Sequence, residues 1–498
     1  MGLIQYAYIF VYLFALGSLF IYGINCYILM VFYLLNYPKS INKHEEIKEN
    51  FYKKVSSKNW PYTTIQLPIY NELYVAERLI ESVCRIDYPK NLIQIQVLDD
   101  SIDDTTEIAK AMVGKMKNQG FDIEYIHRTD RTGYKAGALK EGLKSAKGEL
   151  IGIFDADFVP NSDFLKESVP YFVDPNVGMV QTRWGHLNSD YSLLTRAQSM
   201  GIDGHFGVEQ ASRAWSGFFM NFNGTAGVWR KKTIEDAGGW QADTLTEDLD
   251  LSYRAQMNGW KLIFAPKVVC PAEVPVTITG FKSQQHRWAK GSIQTAKKNL
   301  GKLFKSNAPI FLKIQAFLHL THYVVHPMMI LVVLTSIPML YTHWFFFSLT
   351  YPIMIFTLFC LATFGPSSMY IFSQRILYRD WKSRIKYLPF LMCLGTGIAV
   401  NNTKAVLEAL FGIESGFIRT PKYGIKTKGD RWKDKHYSIP LNSVTIIEFF
   451  LGLYSLTGLL MFLFFSKYLI SPFLFIYTAG FFYVFFLSVK HGYGRTKQ

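Results

Sequence analysis

Two rhythms of apolar and polar residues run along this chain. Residues 6–35 are apolar almost without a break, longer than the roughly 20 residues a membrane-crossing helix needs. Between Lys313 and Arg375 there is no Asp, Glu, Lys or Arg, which leaves room for two spans at about 319–341 and 344–370. Two more apolar runs follow at 449–465 and 469–489. The stretch 387–400 is apolar but short, and a run of that length is more often interfacial or re-entrant than spanning. From about 60 to 270 the rhythm changes. Short β-branched or apolar runs at 63–67, 93–98, 123–126 and 150–154 are separated by Ala-, Glu-, Lys- and Leu-rich stretches. Strands alternating with helices predict a mostly parallel sheet.

Charge orients these pieces. Lys39, Lys43, Lys48, Lys53 and Lys54 follow the first apolar run and nothing basic precedes it, which places the N-terminus outside and the next domain in the cytoplasm. Without a basic leader or a small-residue cleavage site, the run reads as an anchor. Residues 419–436 are strongly basic, and the tail carries Lys490, Arg495 and Lys497. Five spans keep every basic segment inside, whereas six would misplace the basic loop or the tail. The expected organisation is a transmembrane helix over 1–36, then a cytoplasmic α/β domain over 37–308 with an interfacial helix near 280–300. Two spans follow over 309–376, interfacial helices and a loop over 377–441, and two spans with a cytoplasmic tail over 442–498.

Composition narrows the class. Of the 498 residues, 49% are hydrophobic and 18% charged, which excludes a disordered chain. The net charge of +15 fits the usual Lys and Arg excess of cytoplasmic segments beside spans. No nucleic-acid-binding motif accompanies it, so no nucleic acid partner is expected. Five scattered cysteines without CxxC spacing argue against a disulfide framework or a zinc site.

The acidic residues suggest chemistry. In an α/β sheet, ligands bind beyond the carboxyl ends of the strands. The run 93–98 ends in Asp99-Asp100, and 150–154 ends in Asp155-Ala156-Asp157. One such cluster is usually a cap or a turn. Two at the ends of two strands of one sheet would, placed together, repel unless a cation or donors offset the charge, and oxygen ligands suit Mg²⁺ or Mn²⁺ bridging a diphosphate. Thr246-Glu247-Asp248 follows; by itself it reads as an N-cap threonine with acidic first-turn residues. In Gln284-Gln285-His286-Arg287-Trp288, positions 284, 287 and 288 share one helix face. An Arg fork with a Gln can hold a diphosphate, and an indole offers a flat surface to a sugar ring. His319, His322 and His326 also share a face, but packing or pore lining explains them better than a metal, since no carboxylate or Cys accompanies them.

In this order, Asp99-Asp100, Asp155-Ala156-Asp157, Thr246-Glu247-Asp248 and Gln284-x-x-Arg287-Trp288 resemble the D, DxD, TED and QxxRW motifs of the processive family 2 glycosyltransferases. That group holds cellulose synthase and the cellulose synthase-like glucan and mannan synthases. Pro68-Ile69-Tyr70-Asn71-Glu72, Gly133-x-Lys135-Ala136-Gly137 and Phe222-Asn223-Gly224-Thr225 strengthen the likeness.

The resemblance implies a GT-A α/β domain, Rossmann-like in its nucleotide-sugar binding, on an α-helical multi-span membrane domain. It implies donor contacts at Tyr70, Glu72, Asp99, Asp100, Lys135, Asp155, Gln284 and Arg287, and a metal at Asp155 and Asp157. Asp248 matches the catalytic base, within Thr246-Glu247-Asp248. Phe222, Asn223, Gly224, Thr225 and Trp288 match the acceptor side. Phe417-Ile418-Arg419-Thr420 is similar to a gating loop, with Arg419 where Val is usual.

The implied enzyme is a metal-dependent hexosyltransferase with Mg²⁺ or Mn²⁺. It would polymerise a β-1,4-glycan, glucan or mannan, and pass it through the cell membrane from a cytoplasmic catalytic domain. UDP-glucose is the favoured donor and GDP-mannose the next. The remaining partners implied are a glycan acceptor, the lipid bilayer and accessory export proteins. The alternatives are a non-processive lipid glycosyltransferase of the ceramide type and a channel or scaffold carrying an inactive transferase domain.

Overall fold

The computed structural model describes residues 3–56, 59–341, 350–414, 419–437 and 443–492. Seven strands form one sheet: β1 (Thr63–Ile69), β2 (Ile93–Asp99), β3 (Ile123–His127), β4 (Leu150–Ile153), β5 (Val177–His186), β6 (Gly227–Arg230) and β7 (Lys261–Ala272). Their order is β3-β2-β1-β4-β6-β5-β7. The first four run parallel, as the apolar runs predict. The other half differs from a simple parallel sheet: β6 is antiparallel to both β4 and β5, and β7 is parallel to β5. With only four residues, β6 is too short to show a periodicity of its own.

Burial explains the strands. Ile65, Leu67, Ile69, Ile95 and Val97 pack on one face with Leu79 and Ile80 of the helix Ala76–Cys84 and with Val75 just before it. The other face of β1 and β2 is polar yet buried, and its groups pair with each other. Thr64 Oγ1 donates to Gln94 Oε1 (2.8 Å) and Gln66 Nε2 to Gln96 Oε1 (3.0 Å). Gln94 Nε2 and Gln96 Nε2 donate in turn to the Ser145 carbonyl (3.3 Å) and Oγ (2.9 Å), so most of the ladder's buried polar atoms are paired. Pro68, which has no N–H to donate, stands in β1 beyond Gln66, where pairing with β4 ends, a position the sheet accepts.

Among the described residues, five helices are long and apolar enough to cross a membrane: Leu3–Lys54, Ile310–Leu340, Ile353–Leu377, Val444–Phe464 and Ser471–Gly492. The short apolar stretch near 387–400 lies in a pair, Trp381–Gly397 and Ala399–Phe411, bent by 42°. The first helix is 52 residues long, well past the apolar run that predicts it. It continues through Pro38 because its polar half finds partners on the α/β domain: Lys48 pairs with Glu167, His44 Nδ1 meets Tyr171 Oη (2.9 Å), and Phe51 packs on Trp60. Tyr33 of this helix and Met369 of the third candidate span belong to the same buried cluster as Ile151, Ile153 and Trp229 of the sheet. The apolar core of the α/β domain therefore runs on into the long helices.

Candidate active site

The sharp ends of β1, β2 and β4 meet at one cavity. After β1 the chain turns through Asn71, which adopts a left-handed φ of 52°. Its N–H donates to Ser101 Oγ (2.8 Å) and its Oδ1 accepts from Ile102 N–H (3.0 Å), lacing the ends of β1 and β2. That local strain fixes Tyr70 and Glu72 at the rim. The cavity is lined by Tyr70, Glu72, Asp100, Lys135, Asp155, Asp157, Asn223, Gly224, Thr246, Glu247, Asp248, Gln284, Arg287, Trp288, Arg419 and Thr420. Residues more than 300 positions apart in sequence thus converge, and most of the motif residues reach one space.

Four expected contacts lie elsewhere or outside the described residues. Asp99 is fully buried below the cavity, accepting from Tyr125 Oη (2.7 Å) and Ser101 N–H (3.0 Å). Phe222 is buried against Trp229, with ring centroids 5.6 Å apart. The Thr225 hydroxyl accepts from Asp155 N–H (2.9 Å), so it holds the strand end that carries Asp155. Phe417 lies outside the described residues. In each of the first three, the side chain is spent on shaping the wall, and a neighbour (Asp100, Asn223 or Asp155) faces the cavity.

Electrostatics decide what this cavity can do. Lys135 Nζ donates to Asp155 Oδ1 (2.5 Å) and to the Gly224 carbonyl (2.8 Å). Lys422 Nζ stands 2.7 Å from Asp157 Oδ1 and 3.5 Å from Glu72 Oε1. Arg419 forks onto Glu72 from Nε (3.1 Å) and Nη2 (2.7 Å). Burial acts to raise the Asp155 carboxyl, but Lys135, Lys422 and Arg287 outweigh it and hold it below its usual range. Asp248 goes the other way. Burial and the adjacent Glu247 push it up to about 7, against the pull of Lys135 and Arg287. One carboxylate is thereby kept ionised and the other poised to take a proton near neutrality.

The motif Thr246-Glu247-Asp248 opens the helix Glu247–Met257, yet the Thr246 side chain does not cap it. It contacts Thr295 Oγ1 at 3.3 Å on the amphipathic helix Ile278–Lys305, which also carries Gln284, Arg287 and Trp288. A methyl group on Gly291 of that helix would fall 2.5 Å from Thr246 Cγ2, so only glycine permits the approach. Leu245 N–H to Gln294 (2.9 Å) and Asn299 Nδ2 to Asp250 (2.9 Å) complete the seam. Gly224 is the second position where glycine is required. Its φ is +81°, and a Cβ there would lie 2.8 Å from Asp248 Oδ2.

Several lining residues carry no motif. Arg131 lies flat over Tyr70, 3.3 Å from its ring centroid, a cation–π pair. Trp184 of β5 stands 6.5 Å from Trp288, and His186, two residues on and so on the same face, meets Asp203 at 2.9 Å. A lone Trp or His in an alternating strand looks like any core residue. Lys422, two positions beyond Thr420, had a signal in its closeness to the loop motif. The three histidines are engaged: His319 with Tyr253 Oη (2.8 Å), His322 with the His319 carbonyl (2.7 Å) and His326 with Asn402 (2.9 Å).

A divalent ion fits the donor set. Among the described residues no group of three or more His, Cys, Asp or Glu side chains is gathered for a metal. Asp155 and Asp157 offer oxygen only. Mg²⁺ is characteristically held by one or two carboxylates plus substrate phosphate oxygens, so two aspartates in a cavity also lined by Lys135, Arg287, Arg419 and Lys422 match that pattern.

The sheet order, the carboxylates at the strand ends and the seam with the amphipathic helix define a GT-A glycosyltransferase fold, joined to long apolar helices. Residues 61–291 match the family model described as glycosyltransferase like family 2. The chain is 33% identical over 482 residues to the probable glucomannan 4-beta-mannosyltransferase 10 of Arabidopsis thaliana, covering 93% of this chain and 84% of that one. This protein therefore belongs to the family 2 glycosyltransferases, in the cellulose synthase-like group. It is also 40% identical over 281 residues to glucomannan 4-beta-mannosyltransferase 2 of Arabidopsis thaliana, 55% of this chain and 52% of the relative. The match to glucomannan 4-beta-mannosyltransferase 1 of Cyamopsis tetragonoloba is 43% over 247 residues, 49% and 47%. The matched part spans about half the length of these last two relatives. Among solved structures, the mannosyltransferase PcManGT of Pyrobaculum calidifontis, in complex with GDP-Man and Mn²⁺, aligns at 21% identity with a TM-score of 0.46, over 78% of this chain and 99% of that one.

Proposed function

We propose that this chain is a membrane-embedded, inverting hexosyltransferase that lengthens a β-1,4-linked glycan from a nucleotide-sugar donor. One observation carries it: Asp248, with a carboxyl pushed up to about 7, shares a single cavity with Asp155, Asp157, Lys135, Arg287 and Trp288. The names of the relatives favour mannose as the sugar, so GDP-mannose moves ahead of the UDP-glucose that the sequence motifs favour.

Each side chain has a task in this reading. Asp248 removes the proton from the acceptor hydroxyl as that oxygen attacks the anomeric carbon from the side opposite the diphosphate. General-base help of this kind is worth roughly 10²–10⁴ in rate. Lys135, Arg287 and Gln284 receive the departing nucleoside diphosphate, whose charge grows as the glycosidic bond breaks. A divalent ion held by Asp155 and Asp157 would supply further positive charge to the same oxygens. Trp288 offers its face to the acceptor sugar, and Asn223 and Gly224 border the attacking hydroxyl. The long apolar helices seat the domain on a membrane, with the α/β domain on the cytoplasmic side where nucleotide sugars are supplied and the glycan passing between the helices.

The test is incorporation of labelled sugar by the purified full chain with Mn²⁺ or Mg²⁺, comparing GDP-mannose with UDP-glucose. The product is then digested with β-1,4-mannanase and β-1,4-glucanase. A polymer sensitive to one of them is the expected result. A single sugar on a lipid, with no polymer from either donor, overturns chain growth in favour of a lipid glycosyltransferase.

A further inference from the structure

Behind Asn223 lies a relay of side chains that the transfer reaction itself does not use. Residues 193–215 form a helix in three parts: an α-helix Leu193–Gly204, one π-helical turn His205–Glu209 and an α-helix Gln210–Trp215. A π turn inserts an extra residue and rotates the side chains that follow it; such turns are frequent at functional sites. Here the turn brings two side chains onto one carboxamide. Gln210 Nε2 donates to Asn223 Oδ1 (2.6 Å), and also to the Asn221 carbonyl (2.7 Å). Asn223 Nδ2 stands 3.0 Å from His205 Nε2.

These bonds have one consistent assignment. With Oδ1 fixed by Gln210 as the acceptor, Nδ2 donates to His205 Nε2. The proton of His205 is then on Nδ1 and is donated to Glu209 Oε2 (2.9 Å). Glu209 Oε1 accepts from Arg213 Nε (3.0 Å), a guanidinium that is 1% exposed. Burial would raise the Glu209 carboxyl, but His205 and Arg213 hold it well below its usual range, so it stays an acceptor for both. The relay continues to the long helices: Arg213 Nη1 donates to the Gln315 carbonyl (3.3 Å) and Gln315 Nε2 to Asn25 Oδ1 (2.9 Å).

A carboxamide has two N–H donors and two lone pairs. His205 takes one donor and Gln210 one lone pair, which leaves one of each for a ligand. A sugar hydroxyl, which donates and accepts, is the matching group. The next residue, Gly224, abuts the base, since a Cβ there would lie 2.8 Å from Asp248 Oδ2. Asn223 therefore stands within the width of a sugar ring of the oxygen that Asp248 deprotonates.

We propose that His205 and Glu209 are positioning residues that aim the Asn223 carboxamide at the acceptor hydroxyl adjacent to the one attacked. The inference rests on the glycan-elongating reading above and adds how the acceptor's terminal sugar is recognised. His205→Phe removes the bond to Asn223, whereas His205→Gln can accept from Asn223 and donate to Glu209.

The experiment uses the purified full chain with a soluble β-1,4-oligosaccharide acceptor, together with analogues deoxygenated at each hydroxyl flanking the attacked one. A lost hydrogen bond of about 0.5–1.5 kcal/mol corresponds to roughly a 2- to 13-fold change. His205→Phe is expected to raise acceptor KM by about tenfold with donor KM unchanged, and His205→Gln to restore most of it. One deoxy analogue should lose about as much with the native chain and little more with His205→Phe. If His205→Phe matches the native chain in acceptor KM, or if every analogue loses equally in both, the positioning role is overturned. The analogue series with the native chain stands even if a variant fails to fold: equal use of all analogues also overturns it. A native chain that elongates no saccharide from either donor removes the glycan reading and this inference with it.

Discussion

Lys422 Nζ and Asp157 Oδ1 stand 2.7 Å apart, so a lysine from the segment following Arg419 occupies the charge position expected of a divalent ion. Burial works against the lysine's charge, but Asp157, Glu72 and Asp155 outweigh it and raise its pKa. On the proposed reading, a cation entering with the donor would compete with this lysine. In Lys422→Gln the competitor is gone, and Mn²⁺ should bind the donor-free chain at least about tenfold more tightly, the equivalent of ~1.4 kcal/mol. Titration followed by electron paramagnetic resonance reads this directly; identical affinities in both chains would refute the competition.

Chelation should abolish sugar transfer, and Mn²⁺ or Mg²⁺ should restore it. Asp157→Ala is expected to lose activity and not to recover it at any cation concentration, because substrate oxygens alone do not hold the ion. Unchanged activity and unchanged cation dependence in this variant would place the metal elsewhere.

Asp248→Asn keeps the shape of the base and removes its basicity. Turnover should fall by roughly 10²–10⁴ while donor affinity, measured by calorimetry, survives. With a carboxyl pushed up to about 7, the native enzyme's kcat should rise with pH up to about 7 and level off above it. The same upward shift has the opposite sign for stability. The fold favours the protonated form, so this contribution is complete below the unfolded value and is lost as pH rises through about 7. Asp248→Asn should therefore melt higher than the native chain above neutral pH, which scanning calorimetry at pH 6 and pH 8.5 would separate.

Gly224→Ala places a methyl 2.8 Å from Asp248 Oδ2 on a backbone with φ +81°. Strain of that kind costs about 1–3 kcal/mol, and the base must shift to make room. Activity should fall by about a hundredfold or more in a chain that still elutes as a single folded species. Near-native turnover would mean that Asp248 moves freely during the reaction.

Five crossings with the N-terminus outside put residue 428 and the C-terminal segment on the cytoplasmic side. A cysteine introduced at Lys428, in an otherwise cysteine-free chain, should react with a membrane-impermeant maleimide only after the cytoplasmic face is exposed. Labelling from outside alone would reverse the orientation.

Much of the cavity could be read from the chain because Asp100, Asp155 and Asp157 fall where apolar strand runs stop, and Thr246-Glu247-Asp248 stands at a helix start. Asp155, Asp157 and Asp248 needed no structure to be singled out. Asp99, Phe222 and Thr225 share those motifs but face inward, since consecutive residues on an extended segment point to opposite sides; a motif does not say which of its members turns toward the ligand. Trp184, His186 and Arg131 were invisible for a different reason: their role depends on partners distant in sequence, such as Asp203 and Tyr70. The first helix outran its apolar run because tertiary contacts to Glu167 and Tyr171 sustain the polar half.

The glycine at position 291 has one more consequence. Through it the helix bearing Arg287 and Trp288 lies directly on Thr246, and the far side of that helix is fastened to Ala399–Phe411. Lys290 Nζ meets Glu408 at 3.0 Å, and Lys297 Nζ meets the carbonyls of Ala409 and Leu410 at 3.0 Å each. Asp248, the proposed base, is thus seated against a helix that is itself held from behind by Ala399–Phe411. A fragment cut before Ile310 would keep Asp155-Ala156-Asp157, Thr246-Glu247-Asp248 and Gln284-x-x-Arg287-Trp288 in its sequence, yet lose Arg419, Thr420 and Lys422 from the cavity wall and the support behind the helix that abuts Thr246. Preparations intended for drug screening or crystallisation should retain the long apolar helices and the segment between them.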